Sequence, residues 1–136
     1  MKVKFFFTAA AIVMLIFGIG FLVAAAWTMN LFGITLDAGG TMMTQLVGVT
    51  LLGFAAMNWM ARNFAVAEDV HHLIIANFIA NGLGFVVTLW QKLSNDMGNG
   101  WSWLPIALYL VFALAFGYFY LSGSEVEEYK IAAKRA

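Results

Sequence analysis

The sequence predicts an all-α protein, a membrane-spanning four-helix bundle. Four long apolar segments fill most of the 136 residues, and none of them contains Asp, Glu, Lys or Arg. Charged residues make up 10% of the chain, whereas a soluble domain carries about 25%. In a bilayer only helices and closed barrels satisfy the backbone, and segments this long are typical of helices. The predicted helices cover residues 5–29, 41–61, 70–91 and 101–121.

The first segment is predicted to be a retained helix rather than a cleaved signal peptide. Lys2 and Lys4 resemble the basic start of a signal, and Ala24–Ala26 resembles a cleavage site. The apolar run before these alanines is about 20 residues long, however, and a secretory hydrophobic region has about 7–15. We therefore expect residues 5–29 to cross the membrane once.

The other helices carry start signals of their own. Asp37, with Gly39 and Gly40 shortly after it, would turn the chain into the second helix. Glu68 and Asp69 suit the positive N-terminal end of the third helix. Pro105 falls in the first turn of the fourth helix, where its missing N–H costs nothing.

The chain is expected to form one transmembrane domain, residues 1–121, followed by a cytoplasmic tail, residues 122–136. Ser124 and Glu127 match a capping box, which predicts a short helix in this tail.

The distribution of basic residues predicts the orientation. Lys92 alone lies on one side of the predicted membrane, and all the other basic residues lie on the opposite side. Because cytoplasmic loops carry an excess of Lys and Arg, we expect the N- and C-termini to be cytoplasmic. The residues on that side are Lys2, Lys4, Arg62, Lys130, Lys134 and Arg135.

Uncharged polar residues interrupt the apolar segments, and two interpretations remain open for them. They are Thr44, Gln45, Asn58, Asn77 and Asn81. In one interpretation they form contacts between helices, where a hydrogen bond contributes about 0.6–2 kcal/mol. In the other they line a polar path for a small solute or a weakly hydrated ion. Ala76, Ala80, Gly84 and Thr88 add a stripe of small residues, which also favours close helix packing.

The densest group of ionisable side chains is Glu68, Asp69, His71 and His72. Two carboxylates and an imidazole could bind a divalent metal or respond to pH. Adjacent histidines on a helix, however, point about 100° apart, so the alternative is a helix start with two interfacial histidines. Arg62 is interpreted as an anchor, either in an ion pair with Glu68 or Asp69 or on a lipid headgroup phosphate.

No motif supports catalysis, so we predict that the protein is not an enzyme and has no cofactor or metal. Cysteine is absent, which excludes thiol chemistry. The expected partners are the lipid bilayer and either further copies of the chain or another membrane protein, and not a nucleic acid. The sequence thus favours a protein that acts through helix association, as a homo-oligomer or an accessory subunit. The alternative is a channel or facilitator that uses the amide-lined path.

Three runs of sequence resemble uncharacterised small four-helix bacterial integral membrane proteins. These runs are Leu31–Asp37, Gly48–Phe54 and Asn58–Asn63. Ala38 departs from the turn-forming residue expected after Asp37. The resemblance implies a four-helix fold and a multi-pass location in the bacterial inner membrane, and it implies no activity.

Overall fold

The chain is all-α in the computed structural model, which describes residues 2–63, 67–123 and 131. Four long helices are accompanied by a short α-helix and a single turn of 3₁₀ helix. By length and composition, the four long helices could each cross a membrane, so the predicted all-α fold with four membrane-capable helices is confirmed. The elements are α1 (Lys2–Val23), α2 (Ala25–Leu31), α3 (Ala38–Ala61), α4 (Ala67–Asn95), the 3₁₀ turn (Gly100–Ser102) and α5 (Trp103–Ser122).

Most of the predicted C-terminal tail lies outside the described residues. Helix α5 ends at Ser122, and Gly123 follows with a φ of +62°, the left-handed conformation that commonly ends a helix. The predicted capping box of Ser124 and Glu127 falls beyond this point, outside the described part of the chain.

A bend at Ala24 divides the single helix predicted over residues 5–29 into α1 and α2. Ala24 has φ −137° and ψ 48°, which interrupts the helical backbone. The hydroxyl of Thr28 donates to the carbonyl oxygen of Gly20 at 3.0 Å, eight residues back along the chain. A Cβ on Gly20 would lie 3.1 Å from this hydroxyl oxygen, so the absence of a side chain at Gly20 allows the close approach of Thr28 at the bend.

The long helices pack as two antiparallel pairs, with α1 against α3 and α4 against α5. Glycine allows the close approach in both pairs. A Cβ added to Gly48 of α3 would lie 2.7 Å from the backbone nitrogen of Leu22. A Cβ added to Gly84 of α4 would lie 2.5 Å from the ring of Tyr109 on α5. Each pair therefore depends on a residue without a side chain at its contact.

The two pairs are joined mainly at one end of the molecule. We call this the termini end, where α1 and α4 begin and α3 and α5 finish, and we call the opposite end the loop end. Phe7 of α1 and Phe116 of α5 are fully buried at the termini end, with ring centroids 5.4 Å apart. The core around them takes side chains from all four long helices: Val3, Ala10, Ala61, Val70, Ile74, Phe112 and Phe119.

At the loop end, hydrogen bonds tie together the two connecting segments. The backbone N–H of Asn99 donates to the carbonyl oxygen of Phe32 at 2.8 Å, and its side-chain amide donates to the carbonyl oxygen of Leu31 at 3.0 Å. Asp37 caps α3, since its carboxylate accepts from the N–H of Gly40 at 2.6 Å. The two pairs are thus held together by the core at one end and by loop contacts at the other.

Replacement of Gly48 by Ala is expected to lower stability by about 1–3 kcal/mol, because the added methyl group meets the backbone of α1. Gly82→Ala is the matched control, because a Cβ there would have no neighbouring atom within 4 Å. Both variants gain the same helix propensity, so the difference between their unfolding free energies measures the contact. Unfolding in a detergent series, followed by circular dichroism, gives both values. Equal values would contradict the close approach of α1 and α3.

Replacement of Phe116 by Ala is expected to cost about 3–5 kcal/mol of stability, because it opens a cavity among buried aromatic rings. Phe5→Ala removes the same atoms from a side chain that is 69% exposed and serves as the control. The same unfolding measurement applies. A loss no larger than that of the control would show that the aromatic core does not join the two pairs.

Candidate functional site

A cavity of about 290 Å³ lies between the two helix pairs. Its size is close to the lower end of the range for ligand pockets, about 300–1,000 Å³. Its wall is mostly hydrophobic, with a few polar side chains. The hydrophobic lining comes from α1, α2, α3, α5 and the connecting segments: Ala10, Val13, Met14, Phe17, Phe21, Met29, Phe32, Ile34, Leu51, Met97, Pro105, Leu108 and Phe112.

The cavity follows from the way the helix pairs are joined. Its lining ends near Ala10 and Phe112, and beyond them Phe7 and Phe116 fill the interior of the termini end. Contacts between helices of different pairs are few compared with the contacts within each pair. The pairs are therefore packed tightly at one end and leave space between them for the rest of their length.

Helix α4 supplies a row of polar side chains to the cavity wall. Asn81, Thr88, Gln91 and Lys92 all line it. Their spacings of seven, ten and eleven residues from Asn81 place them on one face of a helix. This face runs from the middle of the bundle to the loop end, so the cavity has one polar edge.

Asn81 and Tyr109 each place on the cavity wall a polar atom that has no hydrogen-bond partner within the described residues. Asn81 is 3% exposed, and its amide N–H donates to the carbonyl oxygen of Asn77 at 2.8 Å, while its own oxygen Oδ1 accepts no bond from that part of the chain. The hydroxyl of Tyr109 also forms no hydrogen bond there. Because Tyr109 lies on Gly84, one helical turn from Asn81, the two polar groups belong to the same part of the cavity.

Lys92 lies at the loop end of the polar row and is largely buried. Its side chain is 13% exposed, whereas that of its ion-pair partner Asp96 is 96% exposed. The ammonium nitrogen lies 3.4 Å from a carboxylate oxygen of Asp96 and 3.3 Å from the carbonyl oxygen of Gly98. Charge-assisted hydrogen bonds are usually about 2.7–2.9 Å long, so both contacts are long. The ammonium group can therefore bind a further acceptor.

The structure does not gather the five predicted polar residues into one cluster. Only Asn81 lines the cavity. The side-chain amides of Asn58 and Asn77 donate to carbonyl oxygens one turn back in their own helices, each at 2.9 Å. Thr44 does the same through its hydroxyl, bonding to Gly40 at 2.8 Å. Gln45 makes a bond between helices, from its amide to the carbonyl oxygen of Leu22 at 3.3 Å.

Asn58 also leaves one polar atom without a partner. The residue is fully buried, and its amide nitrogen lies 3.6 Å from the sulfur of Met14. Its oxygen Oδ1 has no hydrogen-bond partner among the described residues. The interhelical contact and polar-path interpretations of these residues both stay predictions.

The predicted ionisable group is only partly described, because the side chain of Glu68 lies outside the described residues. Asp69 and His72 are exposed, and His71 is half-buried. The rings of the two histidines are 6.3 Å apart, and His71 lies 5.5 Å from Tyr120 of α5. Within the described ranges, no three His, Asp or Glu side chains are close enough to hold a metal ion.

Arg62 stacks on a neighbouring aromatic ring. Its guanidinium carbon lies 3.4 Å from the centre of the Trp59 ring, which is a cation–π contact. No ion pair of Arg62 with Asp69 occurs in the described part of the chain, and Nε of Arg62 is buried without a partner there. The predicted role as a headgroup anchor remains a prediction.

The cavity and four of its polar residues were not predicted from the sequence. No sequence pattern pointed to Gln91, Ser102 or Tyr109, and Lys92 served only to predict orientation. A signal for α4 exists in retrospect, because Asn81, Thr88 and Lys92 share one helix face. Nothing in the sequence indicates that this face borders an empty space instead of another helix.

A family model matches residues 1–121, which include the four long helices except the last residue of α5. No curated protein and no solved structure matches the chain at a significant level. The match covers the same part of the chain as the helical bundle and its cavity. The chain therefore belongs to the family described as a domain of unknown function, DUF8292.

Proposed function

We propose that this protein is a non-enzymatic integral membrane protein that acts through helix association. It works as a homo-oligomer or as an accessory subunit of a membrane complex. We place it in the bacterial inner membrane with both termini in the cytoplasm, as the basic residues favour. The outward face of α3 carries this proposal.

The outward face of α3 is shaped for contact with another helix. Gly53 and Ala56 are both exposed on it, and a Cβ on Gly53 would have no neighbouring atom within 4 Å. Val49 and Met60 are exposed on the same face. Membrane helices associate through small residues that let backbones approach closely. A shallow patch between larger side chains provides such a surface, which we call the α3 face (Val49, Gly53, Ala56 and Met60).

Helix α3 has this face available because its contacts within the chain are almost all with α1. The predicted stripe of small residues on α4 is packed against another helix along only part of its length. Gly84 packs on Tyr109 of α5, whereas Ala76 and Ala80 remain exposed. Gly84 thus contributes to the packing of α4 against α5, whereas Ala76 and Ala80 form a further exposed surface of small residues.

The alternative function, a channel or facilitator, has less support, because the cavity of a single chain does not extend through the whole bundle. A conducting path needs a continuous row of polar groups or space through the bundle. The cavity ends near Ala10 and Phe112, and the aromatic core fills the termini end. A path formed between several chains would again require the association proposed for α3.

Replacement of Gly53 by Leu is expected to reduce association at least tenfold, because the larger side chain prevents close approach on the α3 face. Gly82→Leu is the matched control, since Gly82 also has open space where its side chain would be but lies on α4. Native mass spectrometry from nanodiscs measures the assembly, either of identical chains or with a second protein. Melting temperatures of both variants verify that the monomer fold is retained.

The proposal predicts a discrete assembly for the unchanged protein and for Gly82→Leu. A monomer without any associated protein in the unchanged sample would contradict association itself. An assembly that survives Gly53→Leu but is lost in Gly82→Leu would contradict the assignment to the α3 face.

A further inference from the structure

We propose that the cavity between the helix pairs binds a single-chain amphiphile with an anionic headgroup and a hydroxyl group on its chain. Lys92 would bind the anion, the hydrophobic wall would bind the chain, and Asn81 with Tyr109 would bind the hydroxyl. This inference does not depend on helix association, because the cavity lies within one chain.

The composition of the wall selects a mostly hydrocarbon ligand. Aromatic and aliphatic side chains from α1, α2, α3, α5 and the connecting segments line the cavity, and burying such a surface against another apolar surface is favourable in free energy. A cavity of about 290 Å³ has room for one hydrocarbon chain of moderate length, and not for both chains of a two-chain lipid. The occupant we infer is therefore a single hydrocarbon chain.

Lys92 selects the charge of the headgroup. Within the described part of the chain it is the only Lys or Arg that lines the cavity, and its ammonium group makes long contacts to Asp96 and Gly98. Asp96 is almost fully exposed, so its carboxylate can turn toward solvent when another anion binds. A ligand carboxylate or phosphate at the usual distance would make a stronger bond than either existing contact. A cationic headgroup would be repelled.

Asn81 and Tyr109 select the second polar group. The free oxygen of Asn81 needs a donor, and the hydroxyl of Tyr109 can donate to an oxygen. One ligand hydroxyl can satisfy both, by donating to Asn81 and accepting from Tyr109. A plain hydrocarbon chain in the cavity would cover both groups without pairing them, which is costly, so an occupant that pairs them is favoured.

The spacing along α4 sets the distance between the two polar groups of the ligand. Asn81 and Lys92 are eleven residues apart on one helix, which corresponds to about 16 Å along its axis. An extended chain of about this length joins the two positions. We therefore choose probes derived from dodecanoate, whose two ends match this separation.

The test is calorimetric titration of the protein in phosphatidylcholine nanodiscs, with empty nanodiscs titrated in parallel to subtract partition into lipid. The probes are dodecanoate, ω-hydroxydodecanoate, dodecyl phosphate and dodecyltrimethylammonium. We expect both anionic headgroups to bind at least tenfold more tightly than the ammonium probe. The tighter of dodecanoate and dodecyl phosphate identifies the headgroup as a carboxylate or a phosphate. The hydroxylated acid is expected to bind at least threefold more tightly than dodecanoate.

Three variants assign the binding to the cavity. Lys92→Gln is expected to weaken anion binding about tenfold, whereas Lys4→Gln, at the termini end, leaves it unchanged. Asn81→Leu is expected to abolish the preference for the hydroxylated probe while dodecanoate still binds. Val13→Phe fills part of the cavity and is expected to abolish binding, and Val111→Phe, on an exposed position of α5, is its control.

Binding of the ammonium probe as tight as that of dodecanoate would overturn the role of Lys92. Full binding by Val13→Phe, or no heat above that of empty nanodiscs, would overturn the cavity as a binding site. Melting temperatures verify that each variant is folded, so a loss of binding cannot be a loss of structure. None of these outcomes changes the expectation for association, which Gly53→Leu tests separately.

Discussion

The rest of the structure depends on the aromatic core at the termini end. Phe7, Phe112 and Phe116 bring α1 and α5 together, and each of these helices brings its own glycine-packed partner. In the membrane location that we propose, lipid chains are as apolar as these side chains, so the core would be stabilised by close packing and not by exclusion of water. One well-packed end holds both pairs in register, and the opposite end can therefore remain open around a cavity.

The three buried asparagines show how hydrogen bonds within a helix lower the free-energy cost of burying polar side chains. Asn58, Asn77 and Asn81 each donate to a carbonyl oxygen of their own helix, which needs no partner helix in a fixed position. This arrangement leaves their oxygens available as acceptors. Asn81 lines the cavity, so a ligand in the cavity could donate a hydrogen bond to its side-chain oxygen.

The association and the ligand binding that we propose use different parts of the molecule, so both can occur together. The α3 face lies on the outside of the α1–α3 pair, whereas the cavity lies between the two pairs. A ligand that fills the cavity would add contacts between pairs that otherwise meet mainly through the aromatic core. Since a ligand stabilises the state that binds it, occupancy would stiffen the bundle that presents the α3 face to its partner.

The sequence by itself determined the four apolar helices and the turn at Asp37 that leads into the second of them, because both follow from local composition. It did not predict the bend at Ala24, which depends on a contact between Thr28 and Gly20 that spans two turns of chain. Only the tertiary structure decided which faces meet: Asn81 and Asn77 are alike in sequence, yet only Asn81 lines the cavity. The physical reason is that lipid and protein present similar apolar surroundings to a membrane helix, so hydrophobic pattern alone cannot distinguish a packed face from an open one.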